Sequence, residues 1–141
     1  MNKCVLRLGS AAGTFDYGTL RHKYLYQCLQ WPTGYVDPLD KIGLYEIVLS
    51  AVTIMELLQG MGNKEELARM KKKIRYYDVV QIDEAISAKA VDFIESYKLS
   101  HGLSIPDAII GATAVIHQIP IYTYNIRDFD FLPGIILYQT V

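Results

Sequence analysis

Glu56, Asp107, Asn125 and Asp128 are oxygen-bearing side chains placed where a strand gives way to a helical segment or where a helix begins. Gathered at one place, such groups suit Mg²⁺ or Mn²⁺, which take carboxylates and water in octahedral geometry. Carboxylates held close together repel one another unless a cation lies between them. With the cation in place, a bound water becomes easier to deprotonate and a phosphoryl transition state is stabilised. Each residue also has a local reading. Thr53-x-x-Glu56 has the form of a capping box, in which the glutamate reaches back to the first amide of a helix. Asp107 complements a helix dipole, Asp128 pairs with Arg127 or caps the turn before it, and Asn125 is a common turn residue. Only convergence of the four distinguishes a site from four separate caps.

The elements that must bring them together are legible from residue 41 onward. The run from Tyr45 to Ser50 has strand character. Thr53–Met61 reads as a helix stopped by Gly60 and Gly62. Asn63 caps a helix over 64–76, with Leu67, Met70 and Ile74 on one face. Val79–Ile82 is a short strand, and Asp83 caps a long helix to Ser100 whose apolar side carries Ile86, Ala90, Phe93 and Tyr97. Gly102 ends that helix, and Ser104 caps the next, Pro106 to His117. Its stripe is Ala108, Ile109, Ala112, Val115 and Ile116, and its small residues Gly111, Ala112 and Ala114 permit close approach to a sheet. Ile121–Tyr124 is a strand, Asn125–Phe129 a helical turn, and Ile135–Tyr138 a last strand. Earlier, Cys4–Leu8 and Lys23–Leu29 are strand candidates, separated by a glycine-containing loop. Strands alternating with helices imply an α/β fold with a mainly parallel sheet. Ligands of such sheets bind at the C-terminal ends of the strands.

Composition narrows the function classes. The 141 residues suffice for one domain with a full core. A net charge of −1 supplies no general attraction for nucleic acid, so any such contact must be local. The densest basic run, Arg69–Arg75, reads as the solvated face of a helix. Cys4 and Cys28 have neither redox nor zinc spacing and read as reduced thiols. His22, His101 and His117 lack metal-ligand spacing. No apolar run reaches membrane-spanning length, and Lys3, Arg7, Gly9 and Ser10 interrupt any signal-peptide core, so a cytoplasmic location without a membrane is expected.

Three segments carry a resemblance. Ser50-Ala-Val-Thr-Ile-Met-Glu-Leu-Leu-Gln-Gly, Ile105-Pro-Asp-Ala-Ile-Ile-Gly-Ala-Thr-Ala114 and Thr123-Tyr-Asn-Ile-Arg-Asp-Phe129 resemble the second, third and fourth acidic motifs of the PIN-domain family, especially its VapC-type toxins from toxin–antitoxin pairs. The resemblance extends over residues 42–141. It implies a Rossmann-like three-layer α/β/α sandwich formed by a single PIN-like domain, residues 1–22 being an atypical N-terminal extension. The activity it implies is Mg²⁺- or Mn²⁺-dependent hydrolysis of RNA phosphodiesters. Glu56, Asp107 and Asp128 would hold the metal directly or through water, and Asn125 or Thr123 would orient a ligand or a water. A VapB-type antitoxin and a homodimer are the implied partners.

The chain departs from this family at its first acid, which normally ends the first strand. The best counterpart of that strand is Lys23-Tyr-Leu-Tyr26, and Gln27 stands in the acid's place. Two functional readings follow: an endoribonuclease, or a PIN-like domain without activity that binds an antitoxin or RNA.

Overall fold

The computed structural model describes residues 3–8, 23–28, 47–123 and 126–137, with side chains in the last two segments. Its elements are β1 (Lys3–Leu8), β2 (Lys23–Cys28), β3 (Ile47–Ser50), α1 (Ala51–Gln59), α2 (Lys64–Ile74), β4 (Asp78–Val80), α3 (Glu84–His101), α4 (Ile105–His117) and β5 (Ile121–Thr123), followed by a 3₁₀ turn at Ile126–Asp128. Strand β2 pairs in parallel with β5 on one side and β3 on the other, and β3 pairs in parallel with β4. Strand β1 runs antiparallel to β2, β3 and β5. The expected α/β architecture with a mainly parallel sheet is therefore present. β3 is buried at all four positions, as a strand covered on both faces must be.

Local chemistry sets the helix ends. Asn63 Oδ1 accepts from the Glu66 amide at 2.9 Å, and Glu66 Oε2 accepts from the Gly62 amide at 2.8 Å, a reciprocal arrangement that opens α2. Asp83 Oδ1 accepts from the Ile86 amide at 2.9 Å and opens α3. Helix α3 stops at Gly102, whose φ of 65° is the left-handed conformation that glycine adopts without a steric penalty. Arg69, Lys71, Lys72, Lys73 and Arg75 are all exposed, in keeping with a solvated helix face.

Helices α3 and α4 pack against each other. The inward side of α3 carries Ile86, Ala90 and Phe93, all buried, with Tyr97 half-buried beside them. Helix α4 is buried continuously from Ile110 to Ala114. Ile116, expected on the buried stripe, is 39 % exposed because it turns away from this packed side near the helix end. His117, in the last turn of α4, is half-buried; burial lowers its pKa from the ordinary 6.5 and the Asp83 carboxylate opposes that shift.

Gly111 is small for a reason that its own helix does not reveal. A Cβ there would lie 2.5 Å from Leu132 Cδ1, with Phe129 and Phe93 within 4 Å. The close approach is to the segment following β5, rather than to the sheet as expected. That segment runs beside α4. Phe131 meets His101 just before the helix, Phe129 and Leu132 meet its middle at Gly111, and Gly134 lies against Val115. The chain then returns to β5, where the Ile121 amide donates to the Ile136 carbonyl at 2.7 Å and Leu137 bridges Ile121 in parallel. The last expected strand is thus a single bridge within the described residues.

Filling the Gly111 contact should be destabilising. Gly111→Val is expected to cost about 1–3 kcal/mol, because Leu132 is buried and has little room to retreat. Urea denaturation checks the cost. Combining Gly111→Val with Leu132→Ala should cost less than the sum of the two single changes; strict additivity would show that the two residues do not share this contact.

Candidate functional site

Parallel pairing gives β2, β3, β4 and β5 a common C-terminal edge. In chain order, Glu56 lies on the helix that follows β3, Asp107 opens the helix that leads into β5, and Asp128 lies in the turn after β5.

Helix α1 begins without a loop at the end of β3. Its N-cap is Ser50, not Thr53. The Ser50 hydroxyl accepts from the Thr53 amide at 3.0 Å, and the two hydroxyl oxygens are hydrogen-bonded at 2.9 Å. Both side chains are buried, at 1 % and 0 % exposure, so each satisfies a polar atom that water cannot reach. The expected Thr53–Glu56 capping box is therefore overturned. Thr53 occupies the third helical position, and Glu56 lies a turn further along, half-buried, beyond the amides that a capping glutamate serves. Its nearest local explanation is removed.

Asp107 is in the first turn of α4, where Ser104 is the N-cap as expected; the Asp107 amide donates to Ser104 Oγ at 3.3 Å. Pro106 also lies in this turn, where an amide hydrogen would lack a helical partner. The half-buried carboxylate stands at the positive end of the helix dipole, which favours its charged form. Helix α4 leads directly into β5 and also packs on α1.

Asp128 is half-buried in the 3₁₀ turn after β5. The next residue, Phe129, is fully buried, and its amide donates to the Ile126 carbonyl at 3.0 Å. Burying a phenyl ring of this size contributes about 2–3 kcal/mol, so Phe129 fixes the turn on which Asp128 sits. Phe129 also packs at Gly111, one helical turn beyond Asp107. The turn carrying Asp128 is thus anchored on the helix whose first turn carries Asp107. Thr123, half-buried, closes β5. Asn125, the remaining expected residue, lies outside the described residues.

The register also locates Gln27. Tyr26 of β2 pairs with Tyr122 of β5, and Gln27 is one residue further toward the C-terminal edge. Its backbone is therefore at the edge of a strand lying between β5 and β3.

Among the described residues, no group of three or more His, Cys, Asp or Glu side chains is placed to hold a metal ion. The donor chemistry of Glu56, Asp107 and Asp128 nonetheless fits a hard divalent cation, since all three are carboxylates. Mg²⁺ retains several waters and is commonly held by one or two carboxylates together with substrate phosphates, so a closed three-carboxylate cage is not required. His117 takes no part, because it lies at the opposite end of α4 from Asp107.

Residues 35–132, well over half of the chain, match the family described as PIN domain. Among solved structures, the chain is similar to a toxin–antitoxin complex from Klebsiella pneumoniae. The identity is 29 %, with 66 % of this chain and 75 % of that one covered and a TM-score of 0.52. No curated protein matches it in sequence. No helix in the described residues is long and apolar enough to cross a membrane.

The Ser50–Thr53 pair is a feature that motif reading alone assigns wrongly, and it has a measurable consequence. Ser50→Ala removes the N-cap acceptor and leaves the Thr53 hydroxyl without this buried partner, with an expected loss of about 1–3 kcal/mol in stability. Thermal and urea denaturation check this. A loss within a few tenths of a kcal/mol would show that α1 is fixed by other contacts.

Proposed function

The chain belongs to the PIN-domain family, and from that premise we propose that it is a Mg²⁺- or Mn²⁺-dependent endoribonuclease, the toxin of a VapBC-type toxin–antitoxin pair. PIN domains are generally nucleases that use divalent metal ions, and the similar Klebsiella pneumoniae structure is a toxin–antitoxin complex. The observation that supports the reading is the packing of Phe129 and Leu132 at Gly111, which anchors the turn bearing Asp128 on the helix that bears Asp107.

Asp107 and Asp128, with Glu56 from α1, are the proposed holders of the cation, directly or through water. When bound, the metal would supply a more acidic water and charge stabilisation for phosphodiester hydrolysis. The protein's own contribution is placement. Ser104 fixes the first turn of α4 and so the Asp107 backbone. Buried Phe129 holds the turn bearing Asp128, and the Ser50–Thr53 pair fixes the start of the helix bearing Glu56. Asn125, or Thr123 at the end of β5, is proposed to orient a water or a substrate oxygen. The proposed partners are a VapB-type antitoxin and a second copy of this chain, in the cytoplasm.

Gln27 favours a second reading. A neutral amide near the strand end where the family's first acid is expected lowers the negative charge available to the cation. On this reading the domain no longer cleaves RNA and binds an antitoxin or RNA instead.

Cleavage of single-stranded RNA by the purified protein separates the two. Mg²⁺- or Mn²⁺-dependent cleavage by the wild type is expected, abolished in both Glu56→Gln and Asp107→Asn, with the folded state checked by circular dichroism. Equal cleavage by both variants would remove the assigned site, and the absence of cleavage by the wild type would favour the binding module.

A further inference from the structure

An aromatic row at the end of α3 is unused by the chemistry above. His101, the last residue of α3, is stacked on Phe131 with ring centroids 4.1 Å apart and planes inclined by 17°. Tyr97 approaches both rings, at 5.7 Å from His101 and 5.4 Å from Phe131. Buried Phe93 continues the row at 6.4 Å from Tyr97. Tyr97 and Phe131 are half-buried, whereas His101 is exposed. The row is therefore rooted in the core and ends in a flat ring at the surface. A hydrogen bond of 2.7 Å between Ser100 Oγ and His101 Nδ1 further restrains that ring.

The row joins the end of α3 to the segment that follows the Asp128 turn. His101 immediately precedes the Gly102–Ser104 connection into α4, whose first turn contains Asp107, and Phe131 is three residues beyond Asp128. The exposed ring therefore precedes the helix end that carries Asp107 and is stacked on a residue three positions from Asp128. Ordering an exposed side chain has an entropic cost, yet here the ring is held by a stack on one face and a hydrogen bond at its edge.

We propose that His101 is a stacking platform for an unpaired nucleobase of the RNA strand whose phosphodiester lies at Asp107 and Asp128; the proposal rests on the nuclease reading and names how that site takes its substrate. Every base offers a flat π-face, and aromatic side chains in single-strand-binding proteins take up bases irrespective of sequence. The chain carries a net charge of −1, so no broad positive field recruits the strand. The acids of the site also repel phosphates when no cation is bound. Local stacking therefore supplies affinity that overall electrostatics do not.

The test is the binding of single-stranded oligoribonucleotides containing 2-aminopurine, in buffer with EDTA so that no cleavage occurs. Wild-type protein should quench the fluorescent base through stacking. His101→Ala should bind roughly ten-fold more weakly and lose the quench, whereas His101→Phe should retain both. Leu99→Ser, at a fully exposed position of α3, should match the wild type. Wild-type binding and quenching in His101→Ala would overturn the platform. If that result coincided with metal-dependent cleavage lost in Asp107→Asn, the nuclease reading would stand without it. Failure of the wild type to bind any of these oligonucleotides would overturn the platform, and the nuclease reading would then be decided separately by metal-dependent cleavage.

Discussion

The approach of the post-β5 segment to α4 at Gly111 is the contact on which the candidate site depends. A Cβ at this position would sit 2.5 Å from Leu132, a separation that side-chain carbons do not tolerate. Because the helix has no side chain there, Phe129 and Leu132 can be buried at 0 % and 2 % exposure. Their burial holds the 3₁₀ turn carrying Asp128 beside the helix whose first turn carries Asp107. Interiors are packed densely enough that one added carbon at such a point displaces its neighbours. The geometry of two acids is thus set by an apolar contact that neither acid makes.

The third acid is positioned by a different kind of interaction. Glu56 stands on a helix whose first turn is fixed by two buried hydroxyls, Ser50 and Thr53, at the exit of a fully buried strand. Buried hydroxyls without partners are costly, so this pair specifies one orientation of the helix start. Asp107 illustrates how a stabilising and a functional role coexist. A carboxylate in the first helical turn is worth about 0.3–1 kcal/mol through the helix dipole, and that same placement puts it at the sheet's C-terminal edge. Capping and ligation are therefore compatible properties of one position.

Features governed by local chemistry were legible in the sequence. Asn63, Asp83 and Ser104 cap their helices and Gly102 ends α3, because each acts on backbone groups within a few residues of itself. Helix α1 was expected to start at Thr53 on the Thr53-x-x-Glu56 pattern, whereas Ser50, at the same spacing before Thr53, is the cap that forms. Burial at the end of β3 decided in favour of Ser50, and that requires the assembled sheet. The smallness of Gly111 was visible, whereas its partner Leu132, twenty-one positions away, was not. The His101–Phe131 stack escaped notice for the same reason, as no short-range pattern links the two rings. The acids were recognisable by type and order, but the anchoring of the Asp128 turn on α4 follows from packing across the fold. The α/β class was legible because alternating strands and helices leave few ways to build a parallel sheet.

We propose that Glu56, Asp107 and Asp128 share one divalent cation, at a site where Gln27 is the counterpart of the family's first acid. Titration of the purified protein with Mn²⁺ by isothermal calorimetry tests it most directly, comparing wild type, Asp107→Asn and Gln27→Asp. One Mn²⁺ site is expected, weakened by at least about ten-fold in Asp107→Asn and tightened in Gln27→Asp, because affinity for a hard cation rises with the number of charged ligands. Identical isotherms for the three proteins would contradict it.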